Sequence, residues 1–261
     1  MWASGSAYEP FIGRWSRLVA REFLSWLDVA PHGLWLDVGC GTGAITEAIL
    51  TSAAPGRVFA IDMSEAYAAH ARARTTDPRA AFAAADARAL PWASDRANAV
   101  VSGLVLNFVP SPELAVAEMA RVARRGGTVA AYVWDYAEEG MTMLRRFWDA
   151  AAAVNPAAAS MDEARRFPLC EPTALADVWR ASGLAEIEGR AFMVPTLFRD
   201  FDDYWMPFLG GQGPAPSYVA SLADTDRERL REHLRATLPA SPSGAIALTA
   251  RAWGVRGIRR A

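Results

Sequence analysis

The stretch Leu34-Trp35-Leu36-Asp37-Val38-Gly39-Cys40-Gly41-Thr42-Gly43 decides the fold. Its first half is an apolar run of strand length and its second half has a glycine at every other position. Behind it Ala44, Ile45, Ala48 and Ile49 recur at helical spacing. A strand, a glycine-rich turn and a helix in that order make a site for a nucleotide-like ligand. Glycine lets the backbone turn tightly and approach a ligand, and the helix aims its first N–H groups at the same point. Taken alone, the pattern also fits a strand-to-helix turn that binds nothing.

Outward from that stretch, apolar runs at 57–61, 99–104 and 128–133 alternate with helical sequence, and a weaker alanine-rich run lies at 81–85. Such alternation predicts an α/β protein with a parallel sheet and crossover helices on both faces. Upstream, Phe11, Trp15, Leu18, Val19, Leu24 and Leu27 predict an amphipathic helix. A helix is expected from Ser111, the N-cap, with Pro112 at its first position, to a stop at Gly126-Gly127. Past Trp134 the pattern turns helical at 138–154 and 173–182, and two late runs, 184–194 and 245–255, read as closing strands that form an antiparallel edge. The expected organisation is one domain over 1–261: an N-terminal helical segment (1–30), a core (34–134), and helical cap insertions (135–182 and 198–240) around the two closing strands.

Composition sets limits on the chemistry. A chain of 261 residues, 52% hydrophobic, buries a full core without staples. Its two cysteines, Cys40 and Cys170, make no disulfide framework or CxxC metal site, which suits a reducing cytoplasm, and no run approaches a membrane span. With 27 basic and 29 acidic residues the net charge is −2, no global attraction for nucleic acid or an anionic membrane. All the basic residues are arginine, so Schiff-base chemistry and a Tyr/Lys proton relay are excluded.

Two aspartates extend the glycine pattern. Asp62 closes the run after Val58, 19 residues past Gly43, where a carboxylate accepts from both ribose hydroxyls. Asp86 follows the 81–85 run, placed to accept from an adenine amine. Either alone is more often a solvated loop acid.

At this point the chain resembles the class I S-adenosylmethionine (SAM)-dependent methyltransferases, in particular the small-molecule group of the ubiquinone and menaquinone biosynthesis enzymes. The resemblance rests on LDVGCGTG (36–43), AIDMSEAY (60–67), AAADARALPWAS (83–94), VVSGLVLNFVPSP (100–112) and EMARVARRGG (118–127). It implies a Rossmann-like sheet of seven strands in the order 3-2-1-4-5-7-6 with strand 7 antiparallel. It further implies that Gly39, Cys40, Gly41 and Gly43 run under the methionine part of SAM, with Asp37 helping to hold its amino group. On the same footing Asp62 takes the ribose, Met63 lies against the adenine, Asp86 and Ala87 read its edge, and Ser102, Gly103 and Leu104 face the methyl. The chain departs from the family pattern at Arg125, where a proline is usual, and at Asn98, where an aspartate is common.

Two other readings stay open. Gly39, Gly41 and Ala44 also fit the GxGxxG/A of a NAD-dependent oxidoreductase, against which stand the compact GCGTG, the later Asp86 and the missing lysine. A SAM- or S-adenosylhomocysteine-binding protein without activity fits the lack of an evident catalytic base: His32, His70 and His233 are scattered and better read as surface or packing residues. Methyl transfer runs on positioning and water exclusion unless the acceptor is weakly acidic.

For catalysis or substrate contact the candidates are Tyr132 and Asp135, with Trp134 between them at the end of the fifth strand, where this fold opens to substrate. The alternative is that the aromatics pack under the cap and Asp135 caps a helix. Phe201, Tyr204, Trp205 and Phe208 lie on one helical face, as core or as substrate wall, with Trp205 the contact candidate. Tyr8, Arg14 and Trp15 are placed to fold over the cofactor, or to open a helix that packs on the sheet. The chain has Asn107-Phe108-Val109-Pro110 where amino-group DNA methyltransferases have Asn/Asp-Pro-Pro-aromatic, and 104–109 lacks the acidic cluster of metal-dependent catechol-type enzymes. The expectation is therefore a small-molecule acceptor, no nucleic acid or membrane partner, and no metal.

Overall fold

The computed structural model describes residues 9–137, 140–210 and 213–260. Their strands are β1 (Leu34–Val38), β2 (Arg57–Asp62), β3 (Ala80–Ala84), β4 (Ala97–Gly103), β5 (Ala123–Trp134), β6 (Ala185–Phe198) and β7 (Ile246–Ile258). They form one sheet in the order β3-β2-β1-β4-β5-β7-β6. β1 to β5 pair in parallel, while β7 runs antiparallel to both neighbours, as the resemblance implied. The reversal follows from the connection: the chain leaves β6 at Phe198 and enters β7 at Ile246, and these two residues pair, so the link returns to the end of the sheet that it left.

The helices are α1 (Arg14–Leu27), α2 (Ala44–Ser52), α3 (Glu65–Arg74), α4 (Pro112–Val122), α5 (Thr142–Val154), α6 (Glu163–Arg166), α7 (Pro172–Ala181), α8 (Phe201–Trp205), α9 (Pro214–Ser221) and α10 (Asp224–Thr237). Alternation along β5 divides the core in two. Ala130, Tyr132 and Trp134 face the layer of α1 and α2, whereas Val129, Ala131 and Val133 face that of α4 and α7. α1 buries Val19, Phe23 and Leu27 one turn apart, and Phe23 meets Tyr132 with ring centroids 4.8 Å apart.

Two local readings are corrected. Ser111 stands at the N-cap of α4 with Pro112 at the first helical position, as expected, although its φ is +57 and its side chain makes no cap hydrogen bond. That helix stops at Val122, and Gly126-Gly127 lie within β5, where pairing with β4 jumps from Ala97↔Ala123 to Ala99↔Thr128. The glycines accommodate this irregularity, since a Cβ on Gly127 would lie 2.7 Å from the Arg124 carbonyl oxygen. The 135–182 stretch is also not all cap. α5 joins the aromatic layer on the α1 side, whereas α7 lies on the opposite sheet face, where Trp179 Nε1 donates to the Val129 carbonyl at 2.9 Å.

Candidate active site

The glycine loop leaves β1 with three residues in the left-handed region: Gly39 (φ +78), Gly41 (φ +52) and Gly43 (φ +91). A Cβ on Gly39 would lie 2.5 Å from Val105 Cγ2, so that position is closed to side chains, whereas Gly41 faces open space. The amides of Gly39 and Cys40 both donate to the Ile61 carbonyl at 2.8 Å, which fastens the loop to β2. Gly43 precedes α2 and carries its first turn. Cys40 is buried, and burial together with Asp37 and Asp62 raises its thiol pKa.

Asp62 joins the loop to α3. Its Oδ2 accepts from Gly41 N at 3.0 Å and its Oδ1 from Ser64 N at 2.8 Å, while burial raises its pKa. Asp37 is wholly buried beneath the loop, and only its Oδ2 is satisfied, by Thr46 Oγ1 at 2.6 Å. Its Oδ1 has no partner, and burial pushes its pKa up to about 7 against the opposing Thr46 bonds. Thr46 is one partner the sequence reading missed. Its only signal was a hydroxyl in the first turn of the helix after the glycines.

At the end of β4, Ser102 is buried with an unpartnered hydroxyl. Gly103 admits no side chain, because a Cβ would lie 2.5 Å from Ile45 Cδ1 and 2.7 Å from Tyr132 Cζ. Leu104 follows at φ +63, strained for a leucine, and its amide donates to the Tyr132 carbonyl at 2.8 Å. On the other flank Met63 is 74% exposed. Asp86, beside Ala87 after β3, is paired with Arg88 at 2.7 Å, and that hydrogen bond lowers its pKa.

The acceptor-side candidates divide. Tyr132 is core, pressed between Gly103 and Phe23. Asp135 is neither a helix cap nor a free carboxylate, because Met141 precedes α5 and the Asp135 oxygens take Arg251 Nε at 2.7 Å, Trp253 Nε1 at 2.9 Å and Ala137 N at 2.8 Å. Trp205 packs in the core with Phe208, and Tyr204 donates to the Met143 carbonyl. Trp134 and Trp15 are buried with indole N–H groups that have no partner. Tyr8 lies outside the described residues. Asn107, which the reading used only to argue against DNA methylation, donates to Cys170 Sγ and keeps a buried, unpartnered Oδ1.

Among the described residues no group of three or more His, Cys, Asp or Glu is arranged to hold a metal ion, and no helix is long and apolar enough to cross a membrane.

A seven-stranded sheet in this order, with a glycine turn after β1 and an acid closing β2, defines a Rossmann-like methyltransferase fold. Residues 36–131 match the family model described as a methyltransferase domain. The chain is 30% identical over 173 residues to a demethylmenaquinone methyltransferase of Roseiflexus sp. (strain RS-1), covering 60% of this chain and 70% of that one. It is 31% identical over 176 residues to a trans-aconitate 2-methyltransferase of Methylobacterium radiotolerans, covering 62% and 66%. Among solved structures, Haemonchus contortus phosphoethanolamine N-methyltransferase 2 in complex with SAM superposes with a TM-score of 0.59 at 13% identity, over 94% of this chain and 53% of that one. This chain belongs to the class I SAM-dependent methyltransferases.

Proposed function

We propose that this chain transfers the methyl group of SAM to a small-molecule acceptor at the C-terminal ends of β1, β2, β4 and β5. The observation that carries the reading is Asp37 Oδ1, a wholly buried carboxylate oxygen without a partner beneath the glycine loop. A buried carboxylate left half-satisfied calls for a cationic donor. The amino group of SAM is one, whereas the pyrophosphate of NAD would bring negative charge to the same place.

In this reading Gly39, Cys40, Gly41 and Gly43 pass under the methionine part and Ser102, Gly103 and Leu104 border the methyl. Asp62, already accepting two backbone amides, takes the ribose hydroxyls with its remaining lone pairs. Met63 covers the adenine, and Asp86 and Ala87 read its edge. When bound, SAM supplies a methyl on a positively charged sulfur. The chain contributes alignment behind that methyl and exclusion of water. No proton acceptor stands free among Tyr132, Asp135 and Tyr204, so the acceptor atom must arrive nucleophilic.

Isothermal titration with SAM, S-adenosylhomocysteine and NAD in parallel tests the reading. Saturable binding of the first two is expected. Binding of NAD alone would overturn it, along with the roles given to Asp37 and Asp62.

A further inference from the structure

A cavity of about 260 Å³ runs along the outer side of α2, from Thr42 and Gly43 at the start of that helix to Thr51 at its end, between Arg17 of α1 and Arg74 at the close of α3. Only one end of it touches the cofactor loop. Thr51 follows Gly43 by eight residues, which is about 12 Å along a helix axis. The turn after α3 lines the far end with Thr75, Thr76 and Asp77, and the Asp77 carbonyl accepts from the amide of Ala80, the first residue of β3. That end of the cavity therefore stands at the N-terminal edge of the parallel sheet, whereas the proposed cofactor site stands at the C-terminal ends of the strands.

The charges on the lining do not cancel. Asp77 is engaged by Arg79, which reaches it through Nη2 at 2.7 Å, Nε at 3.1 Å and the backbone amide at 2.9 Å, and these bonds lower its pKa to about 2. Glu47 takes Arg17 Nε at 3.2 Å. Arg74 is exposed, and among the described residues no carboxylate meets it. Its neighbour Arg72 lies near Glu65 and donates to the Phe82 carbonyl, so those groups are engaged elsewhere.

The hydroxyls repeat the excess of donors. Thr42 is 5% exposed and its Oγ1 is buried with no partner. Those of Thr75 and Thr76 have none among the described residues. Thr51 differs, because its hydroxyl donates to the Glu47 carbonyl of its own helix. One cation and two adjacent hydroxyls at the far end suit a phosphate, whose several oxygens accept from different directions at once. Leu50 gives the middle of the cavity an apolar wall, and Thr42 leaves a hydrogen-bonding group at the near end.

We infer that this cavity is a second ligand site, separate from that of the cofactor, which takes a small phosphate monoester. Arg74 meets the phosphate charge, Thr75 and Thr76 donate to its oxygens, and the organic part lies along Leu50 toward the Thr42 hydroxyl. The site goes beyond the methyl-transfer reading and does not depend on it.

The test titrates glycerol 3-phosphate, inorganic phosphate, acetate and glycerol at constant ionic strength into the protein with and without saturating S-adenosylhomocysteine, in wild type, Arg74→Gln and Thr76→Val. Glycerol 3-phosphate is expected to bind saturably and more tightly than inorganic phosphate, with acetate and glycerol not binding, and its affinity should agree within twofold in the presence and absence of S-adenosylhomocysteine. Arg74→Gln should weaken it tenfold or more and Thr76→Val severalfold, while both variants bind S-adenosylhomocysteine within twofold of wild type. Failure of both phosphates on wild type, binding by Arg74→Gln equal to that of wild type, or acetate binding as tightly as phosphate would overturn the inference. Loss of phosphate binding when S-adenosylhomocysteine is added would also overturn it, by assigning the cavity to the cofactor. Wild type that binds glycerol 3-phosphate but no S-adenosylhomocysteine would overturn the methyl-transfer reading and leave this site standing.

Discussion

The Asp135 carboxylate and the Arg251 guanidinium meet at 2.7 Å across the joint between β5 and β7, with Asp135 only 2% exposed. The pair anchors the chain where it leaves the sheet toward α5, since Trp253 Nε1 and Ala137 N donate to the same carboxylate. Asp135→Asn keeps an acceptor but leaves Arg251 uncompensated. Removing one partner of a buried pair costs about 3–5 kcal/mol, and the partial exposure of Arg251 places this case near the lower end. Urea denaturation should show a loss of about 3 kcal/mol. Unchanged stability with abolished methyl transfer would return Asp135 to a catalytic role.

On the role proposed for it, Asp37 should make cofactor affinity depend on pH. Its carboxyl ionises at about 7 in the free protein, held up by burial. The ionised form is the one that receives an ammonium, so affinity for S-adenosylhomocysteine should rise as pH increases toward 7, by up to about tenfold per unit, and level off above it. Asp37→Asn should bind weakly with no such slope. Titrations from pH 5.5 to 8 check this, and a flat wild-type profile would remove Asp37 from the site.

Glu163 sets a slope in stability. It is 3% exposed, accepts from Trp148 Nε1, and burial pushes its pKa up to about 7 from 4.5. A folded-state pKa above the unfolded value means that its stabilisation is fully present below pH 4.5 and is lost as pH rises through 7. Glu163→Gln keeps an acceptor for Trp148 without the ionisation. Between pH 5 and 8 the wild type should lose stability by an extra amount on the order of 3 kcal/mol relative to the variant. Parallel thermal melts of the two proteins at several pH values would expose an absence of this difference.

Gly103 tests the bend at the end of β4. A methyl there meets Ile45 Cδ1 and Tyr132 Cζ, both buried, so neither neighbour has room to yield. Gly103→Ala should cost about 1–3 kcal/mol and, by shifting Leu104, weaken S-adenosylhomocysteine binding. Calorimetric melts and titration read the two effects separately. A variant as stable as wild type would show that the strand end is softer than its contacts imply.

The core from residue 34 to 134 was legible in the sequence because its signals are local. A strand, a glycine turn and a helix each declare themselves within a few residues, and the left-handed φ of Gly39, Gly41 and Gly43 agrees with the residue type. Where two local readings competed, the sequence misled. Ser111-Pro112 did open a helix, though at φ +57 and without a side-chain cap, whereas Gly126-Gly127 resembled a helix stop but serve a strand irregularity. Paired glycines suit either environment, and only the partner strand distinguishes them.

The sequence by itself determined the class of fold and the positions of the glycine turn after β1 and of the acid that closes β2. Periodicity and backbone permissiveness are properties of neighbouring residues. Only the tertiary structure decided what the distant side chains do. Asp135 is held by Arg251, 116 residues away, Arg14 by Asp203, 189 residues away, and Asp37 is left with one unmatched oxygen. Charge compensation and burial are sums over everything packed around a group, and those neighbours come from parts of the chain with no local pattern linking them.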